Sequence, residues 1–346
     1  MFDIILNSVI PFLIILTILV FVHELGHYLA AIFNGVKVDV FSIGFGKELF
    51  GFTDNSGTRW KFSLLPLGGY VKMHGDEDPS SSKKNESIDD DERSFHNKSI
   101  AQRSVILFSG PAANFLFSIF LLIFINCFYG YNSTKPIISD IELNSPAEKA
   151  NLQVNDTILK INEVEILDFN SLQGVISKNK PLNITFSRND KIQEVLIIPE
   201  NGKIGIRGTV ITQKLSIFDS CIVSIKQFYN FIKMTLIGIY EMIAGKRGAD
   251  DLGGPIRIAE LSGDFWSKGV QSTLWFMMII SLNLGLINLF PIPMLDGGHL
   301  LLNFIEFVKG SPLNKKSLEM IHMLGLILLL SLMIFATYND VIRIIK

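Results

Sequence analysis

The sequence predicts a mainly α-helical, polytopic membrane protein. It should have about four transmembrane helices, a strand-bearing β-loop after the first, and one inserted β-rich domain. Three observations lead there. Of 346 residues, 48% are hydrophobic and only 18% charged, and mean hydropathy is +0.37. Four apolar runs, at residues 4–32, 104–129, 270–290 and 318–338, reach the length of about 20 helical residues that a bilayer needs. The polar intervals between them switch to strand-like alternation. A net charge of −2 leaves no basic excess for nucleic acid. Two cysteines, Cys127 and Cys221, make neither a disulfide framework nor a zinc ribbon, and a bridge between them is the one pairing left open.

The first run has no basic segment and no small-residue cleavage site ahead of it, so a retained span is expected. Pro11 sits early enough only to kink it. The run continues without a break into His23-Glu24-Leu25-Gly26-His27. On a helix, residues i and i+4 share a face, so both imidazoles can reach one Zn²⁺. Glu24 stands beside them, where a carboxylate can take a proton from the attacking water. A charge at mid-membrane costs about 2.5–3.5 kcal/mol on insertion scales, which favours a functional origin over a chance one.

The loop between the first two spans opens with strand-like Val36–Val40 and the glycine-bearing Ser42-Ile43-Gly44-Phe45-Gly46. Thr58–Ser63 and Gly69–Met73 read as further short strands, and Asp76–Glu92 as a polar linker. Residues 1–132 thus form the first half of a membrane core. Residues 133–212 differ in kind. Strands are expected at Pro136–Ile141, Asp156–Ile161, Leu182–Ser187 and Glu194–Ile198, a capped helix at Ser145–Ala150 and another at Ser171–Ser177. Through SPAEKANLQVNDTILKINEVEI this segment resembles a bacterial PDZ domain, with Asn151 where such domains have glycine and no clear carboxylate-binding loop. Residues 213–268 hold a stretch, 216–244, whose Lys226, Lys233 and Glu241 suit an interfacial helix better than a fifth span. The second half of the core is 269–346. Basic residues crowd the 34–103 loop, which places that loop inside the cell and the 133–212 domain outside.

A catalytic zinc ordinarily takes three protein ligands and a water. Asn288-Leu-Phe-Pro291-Ile-Pro293-Met-Leu-Asp296-Gly297-Gly298 offers the third. The prolines forbid a regular helix, the glycines permit unusual dihedrals, and Asp296 is the carboxylate at the break. A helix cap is its alternative role. His74 and His96 read as solvated, His299 as a helix-start partner and His322 as interfacial, with Trp60 and Trp275 as interface anchors.

HELGH at 23–27, FSIGFG at 41–46, LPLGGYVKM at 65–73, GPAANF at 110–115, LGGP at 252–255 and NLGLINLFPIPMLDGGH at 283–299 now carry a resemblance that covers nearly the whole chain. The chain resembles the site-2 protease family of intramembrane zinc metalloproteases, in its regulator of sigma-E protease branch. The resemblance implies one zinc ion held by His23, His27 and Asp296, with Glu24 as acid/base. It implies that Asn288, with Asn283 a second candidate, holds substrate, and that Gly44 and Gly46 lie in a membrane-associated β-loop that pairs with an unwound substrate strand. The implied substrates are single-span proteins of the inner membrane, of anti-sigma-factor type, and remnant signal peptides. That branch is known for two tandem PDZ domains, whereas this chain has room for one. Two other classes remain open on the residues alone. A scaffold with a structural metal would not need Glu24, and a metal transporter would move zinc without cleaving anything.

Overall fold

The computed structural model describes residues 5–75, 92–166, 169, 172–176, 180–189, 191–200, 202–246, 248 and 253–345. It comprises two compact units, one of residues 1–125 with 221–346 and one of residues 126–220. A π-helical turn, Ile5–Val9, leads into α1, Ile10–Phe33, and then β1, Val38–Thr53, β2, Arg59–Met73, and α2, Ile100–Phe128. Next come β3 Tyr131–Ile141, α3 Pro146–Lys149, β4 Thr157–Ile161, β5 Val164–Glu165, α4 Leu172–Val175, β6 Leu182–Arg188, β7 Lys191–Ile197 and β8 Ile206–Gln213. The chain ends with α5 Ile217–Ile243, α6 Pro255–Ser267, α7 Val270–Asn288, α8 Asp296–Lys309 and α9 Lys315–Ile345. Among the described residues four helices are long and apolar enough to cross a membrane: Asn7–Phe33, Ile100–Phe128, Val270–Asn288 and Lys316–Ile345. They coincide with the four expected runs, and the chain is a multi-pass membrane protein. The 216–244 stretch forms α5, which is not among them.

The three short strands expected before residue 74 are two long ones. β1 pairs β2 antiparallel, and the register breaks repeatedly, so both strands bend. Val38–Ile43 pairs with Gly69–Met73 on one flank and with Arg59–Phe62 on the other, while Glu48–Thr53 pairs with Arg59–Ser63. The turn is tied by one carboxylate. Asp54 Oδ1 accepts from the Ser56 N–H (2.9 Å), the Ser56 hydroxyl (2.6 Å) and the Thr58 N–H (2.9 Å). Its Oδ2 accepts from Trp60 Nε1 (2.9 Å) and from the Tyr28 hydroxyl of α1 (3.2 Å). Trp60, expected as an interface anchor, also has a packing role: its ring stacks on Phe41, centroids 4.3 Å apart, against the α1–hairpin core. Trp275 likewise packs edge-on against Phe231 of α5. Residues 76–91, most of the expected linker, lie outside the described residues.

In the second part of this unit, α6 begins at the LGGP segment. The N–H groups of Gly254 and Arg257 donate to Asp340 of α9, at 2.9 and 3.0 Å, and Asp340 is 2% exposed. These are helix N-terminal donors that have no partner within α6 itself. Cys127 and Cys221 are both free.

The unit 126–220 is a six-stranded sheet in the order β7-β6-β4-β3-β8, with β5 hydrogen-bonded to β4. β6 shows why it forms: Leu182, Ile184 and Phe186 point into the core with Ile138, Ile158 and Ile161, and the residues between them point out. Ser145 caps α3, its hydroxyl accepting from the Glu148 N–H at 3.3 Å. The expected helix at 171–177 is α4; residues 171 and 177 are outside the described set. Tight turns depend on asparagine. Asn144, Asn151, Asn155, Asn162 and Asn189 all have positive φ, +58° at Asn151. Asparagine tolerates the left-handed region better than other residues that carry a Cβ, so it can stand where a glycine is expected.

Asn151→Ala should cost about 1–2 kcal/mol of stability and Asn151→Gly close to nothing, measured by denaturant unfolding. Equal losses would mean that the side chain, not the backbone, matters there. The Ser56 hydroxyl, with Trp60 and the two N–H groups, holds the Asp54 carboxyl well below the usual carboxylate range. A depressed folded pKa contributes stability above the unfolded value of about 4, lost as pH falls through the folded one. The gap in melting temperature between wild type and Asp54→Asn should therefore be open at pH 7 and close in acid. A gap that did not change with pH would contradict the carboxylate's role.

Candidate metal centre

α1 sets His23 and His27 one turn apart on one face, both buried, and their Nε2 atoms stand 3.2 Å from each other. Asp296, the first residue of α8, meets them from across the unit. Its Oδ2 lies 3.2 Å from His23 Nε2 and its Oδ1 3.4 Å from His27 Nε2. Two ligand atoms that sit about 2.1 Å from a tetrahedral ion are about 3.4 Å apart, so the spacing matches zinc. Two imidazoles and a carboxylate are also the chemistry zinc takes. Among the described residues this is the one such group of three.

The loop that delivers Asp296 comes after the end of α7 at Asn288. Residues 289–295 are non-helical, as the prolines demand, but the glycines serve a different purpose from the expected one. Neither Gly297 nor Gly298 has positive φ; Met294 does, at +78°. The glycines supply room. A Cβ on Gly297 would stand 2.3 Å from the Leu289 carbonyl oxygen, and one on Gly298 2.2 Å from that of Ile292. The loop thus folds back onto the first turn of α8.

Glu24 is outside the ligand triangle. Its side chain faces the Gly69–Met73 segment: a Cβ on Gly69 would lie 3.1 Å from Glu24 Cγ. Asn288 Nδ2 is 3.5 Å from His23 Nε2, at the rim of the centre. Asn283 is occupied elsewhere, its amide oxygen accepting from the Thr235 hydroxyl of α5 at 3.3 Å. Gly44 and Gly46 both take left-handed φ, +89° and +87°, within β1. His299 donates its N–H to the Leu295 carbonyl (3.2 Å), and its ring lies 5.4 Å from that of His322, so His322 turns inward toward it. His74 Nδ1 lies 3.2 Å from Asp39, and His96 is exposed.

Three residues of α2 surround the histidines, and none of them stands out in the sequence as a site residue. His27 Nδ1 donates to the Ile106 carbonyl at 2.9 Å. Gly110 makes space: a Cβ there would sit 2.2 Å from His27 Nε2. The Asn114 amide lies 3.1 Å from His23 Nδ1. Residues 106, 110 and 114 recur every four positions on one stripe of a helix that runs into GPAANF, and that period could have marked a shared face, though not what it meets.

Gly110→Ala should push His27 off its position and weaken zinc binding by roughly 10- to 100-fold, the range seen when a metal ligand loses its support. Zinc content after dialysis against a chelator checks this; undiminished zinc would show that the ring can shift without harm.

Peptidase family M50 matches residues 11–332. The chain is 39% identical over 353 residues to a Rickettsia conorii protein named "Putative zinc metalloprotease", covering 96% of this chain and 98% of that one. Proteins of the same designation from Agrobacterium fabrum (32% identity; 96% of this chain, 95% of that one) and Campylobacter jejuni (38%; 96% and 92%) are similar over the same extent. Those matches run from the helix that bears both histidines to the helix that opens with Asp296 and beyond, and a match of such length shows that the chain belongs to peptidase family M50 and is a zinc metalloprotease.

Proposed function

We propose that the protein is an intramembrane protease that hydrolyses peptide bonds in or near the transmembrane segments of single-span proteins of the bacterial inner membrane. One observation carries the reading. The His23–His27–Asp296 triangle is built on a helix of membrane-crossing length and on the break that ends another. Non-helical backbone at such depth is tolerated where it is buried in protein or lines a wet cavity. Family membership removes the scaffold and transporter alternatives.

His23, His27 and Asp296 would hold the metal. Zinc, when bound, supplies a Lewis acid for activating water and polarising the scissile carbonyl. Glu24 takes the proton of the attacking water and delivers it to the leaving amide nitrogen. Asn288, beside His23, orients the substrate backbone. A helical substrate hides its carbonyls in its own hydrogen bonds and must be unwound before it is cut. The Gly69–Met73 segment pairs with Val38–Ile43 on one side and lies against Glu24. That supports capture of the extended substrate alongside the hairpin by strand addition, with Gly44 and Gly46 shaping the loop. The β-rich unit is read as a PDZ-like domain on the extracytoplasmic side, supported by its capped helix α3 after the first strand and its antiparallel sheet. Anti-sigma-factor-type proteins and remnant signal peptides are the substrate classes that the family resemblance suggests.

Purified Glu24→Gln should keep zinc at near wild-type stoichiometry and lose at least about 100-fold in cleavage of a reconstituted single-span protein, the low end for a lost general acid/base. Asp296→Asn should lose zinc as well. Full cleavage by Glu24→Gln would rule out its proton-transfer role, and unchanged zinc in Asp296→Asn would remove that residue from the coordination shell.

A further inference from the structure

Asn114 is wholly buried on α2, and among the described residues its side chain makes one polar contact, to His23. As placed, the amide nitrogen lies 3.1 Å from His23 Nδ1, and the amide oxygen has no hydrogen-bond partner among the described residues. The oxygen and nitrogen of an asparagine amide have nearly the same shape, so the hydrogen-bond network, not the outline, decides which is which. Nothing at the far end of this amide fixes its orientation. The decision falls to the histidine.

His23 Nε2 points at His27 Nε2 and at Asp296. To bind a metal it must present a lone pair there, and a neutral imidazole with a lone pair on Nε2 carries its hydrogen on Nδ1. The atom beside Nδ1 must then accept. An amide nitrogen cannot, and an amide oxygen can. His27 gives an independent reference. Its Nδ1 faces the Ile106 carbonyl, an acceptor that cannot be turned round, so its hydrogen is on Nδ1 and its lone pair on Nε2. The two histidines are four residues apart on α1, and their partners, Ile106 and Asn114, are eight apart on one stripe of α2. The Asn114 main chain is itself held, its carbonyl accepting from Ser118 of α2 (2.8 Å) and from Ser281 of α7 (2.9 Å).

We propose that Asn114 is a positioning residue of the metal centre: its amide oxygen accepts from His23 Nδ1–H and so fixes the tautomer that turns the Nε2 lone pair toward the metal. The inference rests on His23 being a zinc ligand. It assigns the amide the flipped orientation, with the oxygen and not the nitrogen toward His23.

The test is zinc affinity of the full-length protein in detergent, by competition with a chromophoric chelator, so that activity need not be read. Asn114→Leu keeps the volume and removes the acceptor; affinity should fall about 10- to 100-fold. Asn114→Asp keeps an acceptor; affinity should stay within about threefold of wild type. A packing role predicts the reverse order, with the apolar isostere tolerated and the buried charge not. Wild-type affinity in Asn114→Leu, or weaker affinity in Asn114→Asp than in Asn114→Leu, overturns the proposal. If Asn114→Leu does not fold, Asn114→Ala replaces it under the same criterion. If neither folds, Asn114→Asp decides alone, and a loss beyond about tenfold overturns the proposal. His23→Ala is measured in parallel. Unchanged zinc there would sink the ligand assignment itself, whereas lost zinc there with wild-type affinity in Asn114→Leu sinks the positioning role only.

Discussion

The hydrogen bond from His27 Nδ1 to the Ile106 carbonyl joins two apolar helices through one of the few polar contacts between them, and the centre depends on the other residues of that stripe of α2. Gly110 leaves room for the ring, Asn114 meets His23, and Ser118 reaches across to the Met278 carbonyl of α7 at 3.2 Å. Near the start of the same helix, Arg103 pairs with Glu306 at 2.7 Å and Ser104 accepts from Asn303 at 3.2 Å, which anchors α8 behind Asp296. Both segments of the His23–His27–Asp296 triangle, α1 and the start of α8, therefore take their position from α2, which contributes none of the three side chains. In surroundings where an unpaired polar group costs several kcal/mol, such a template is a condition for keeping imidazoles and a carboxylate at 3.2–3.4 Å from one another.

The features visible in the sequence were those encoded by short spacing. His23 and His27 announce a shared face because four residues separate them, and the apolar runs announce helices because about twenty residues must cross the bilayer. Asp296 was legible as the carboxylate at a proline-interrupted break. Asn114 was not, because its partner lies 91 residues away and nothing local to GPAANF says which imidazole it will meet. The fold of the hairpin was hidden for another reason. Bends near Gly44, Gly46 and Gly68 disturb the alternation of side chains, so two long strands read as three short ones. Trp60 read as a membrane anchor by type alone; its indole N–H bond to Asp54, across the turn of the hairpin, was not legible.

Glycine and asparagine divide the labour between the two units. In the membrane unit, Gly69, Gly110, Gly297 and Gly298 are needed for proximity, where backbone or an imidazole comes too close for a Cβ. In the β-rich unit, asparagines answer a need for curvature, with five of them in left-handed turns. The same sequence-level expectation, that a turn or break calls for glycine, was thus right in position and incomplete in reason.

The Asp340 cap of α6 bears on how the chain is made. α6 is translated some 80 residues before the carboxylate that satisfies its first N–H groups, at 2.9 and 3.0 Å. Until α9 emerges and enters the bilayer, those donors must be met by water or lipid headgroups. The far end of α6 meanwhile abuts the Ile5–Val9 turn, where Gly263 admits the Asn7 carbonyl. Segments near residues 7 and 340, more than 300 positions apart, thus close on one short helix, so this part of the bundle cannot lock until the stretch that carries Asp340 has been made and has reached α6.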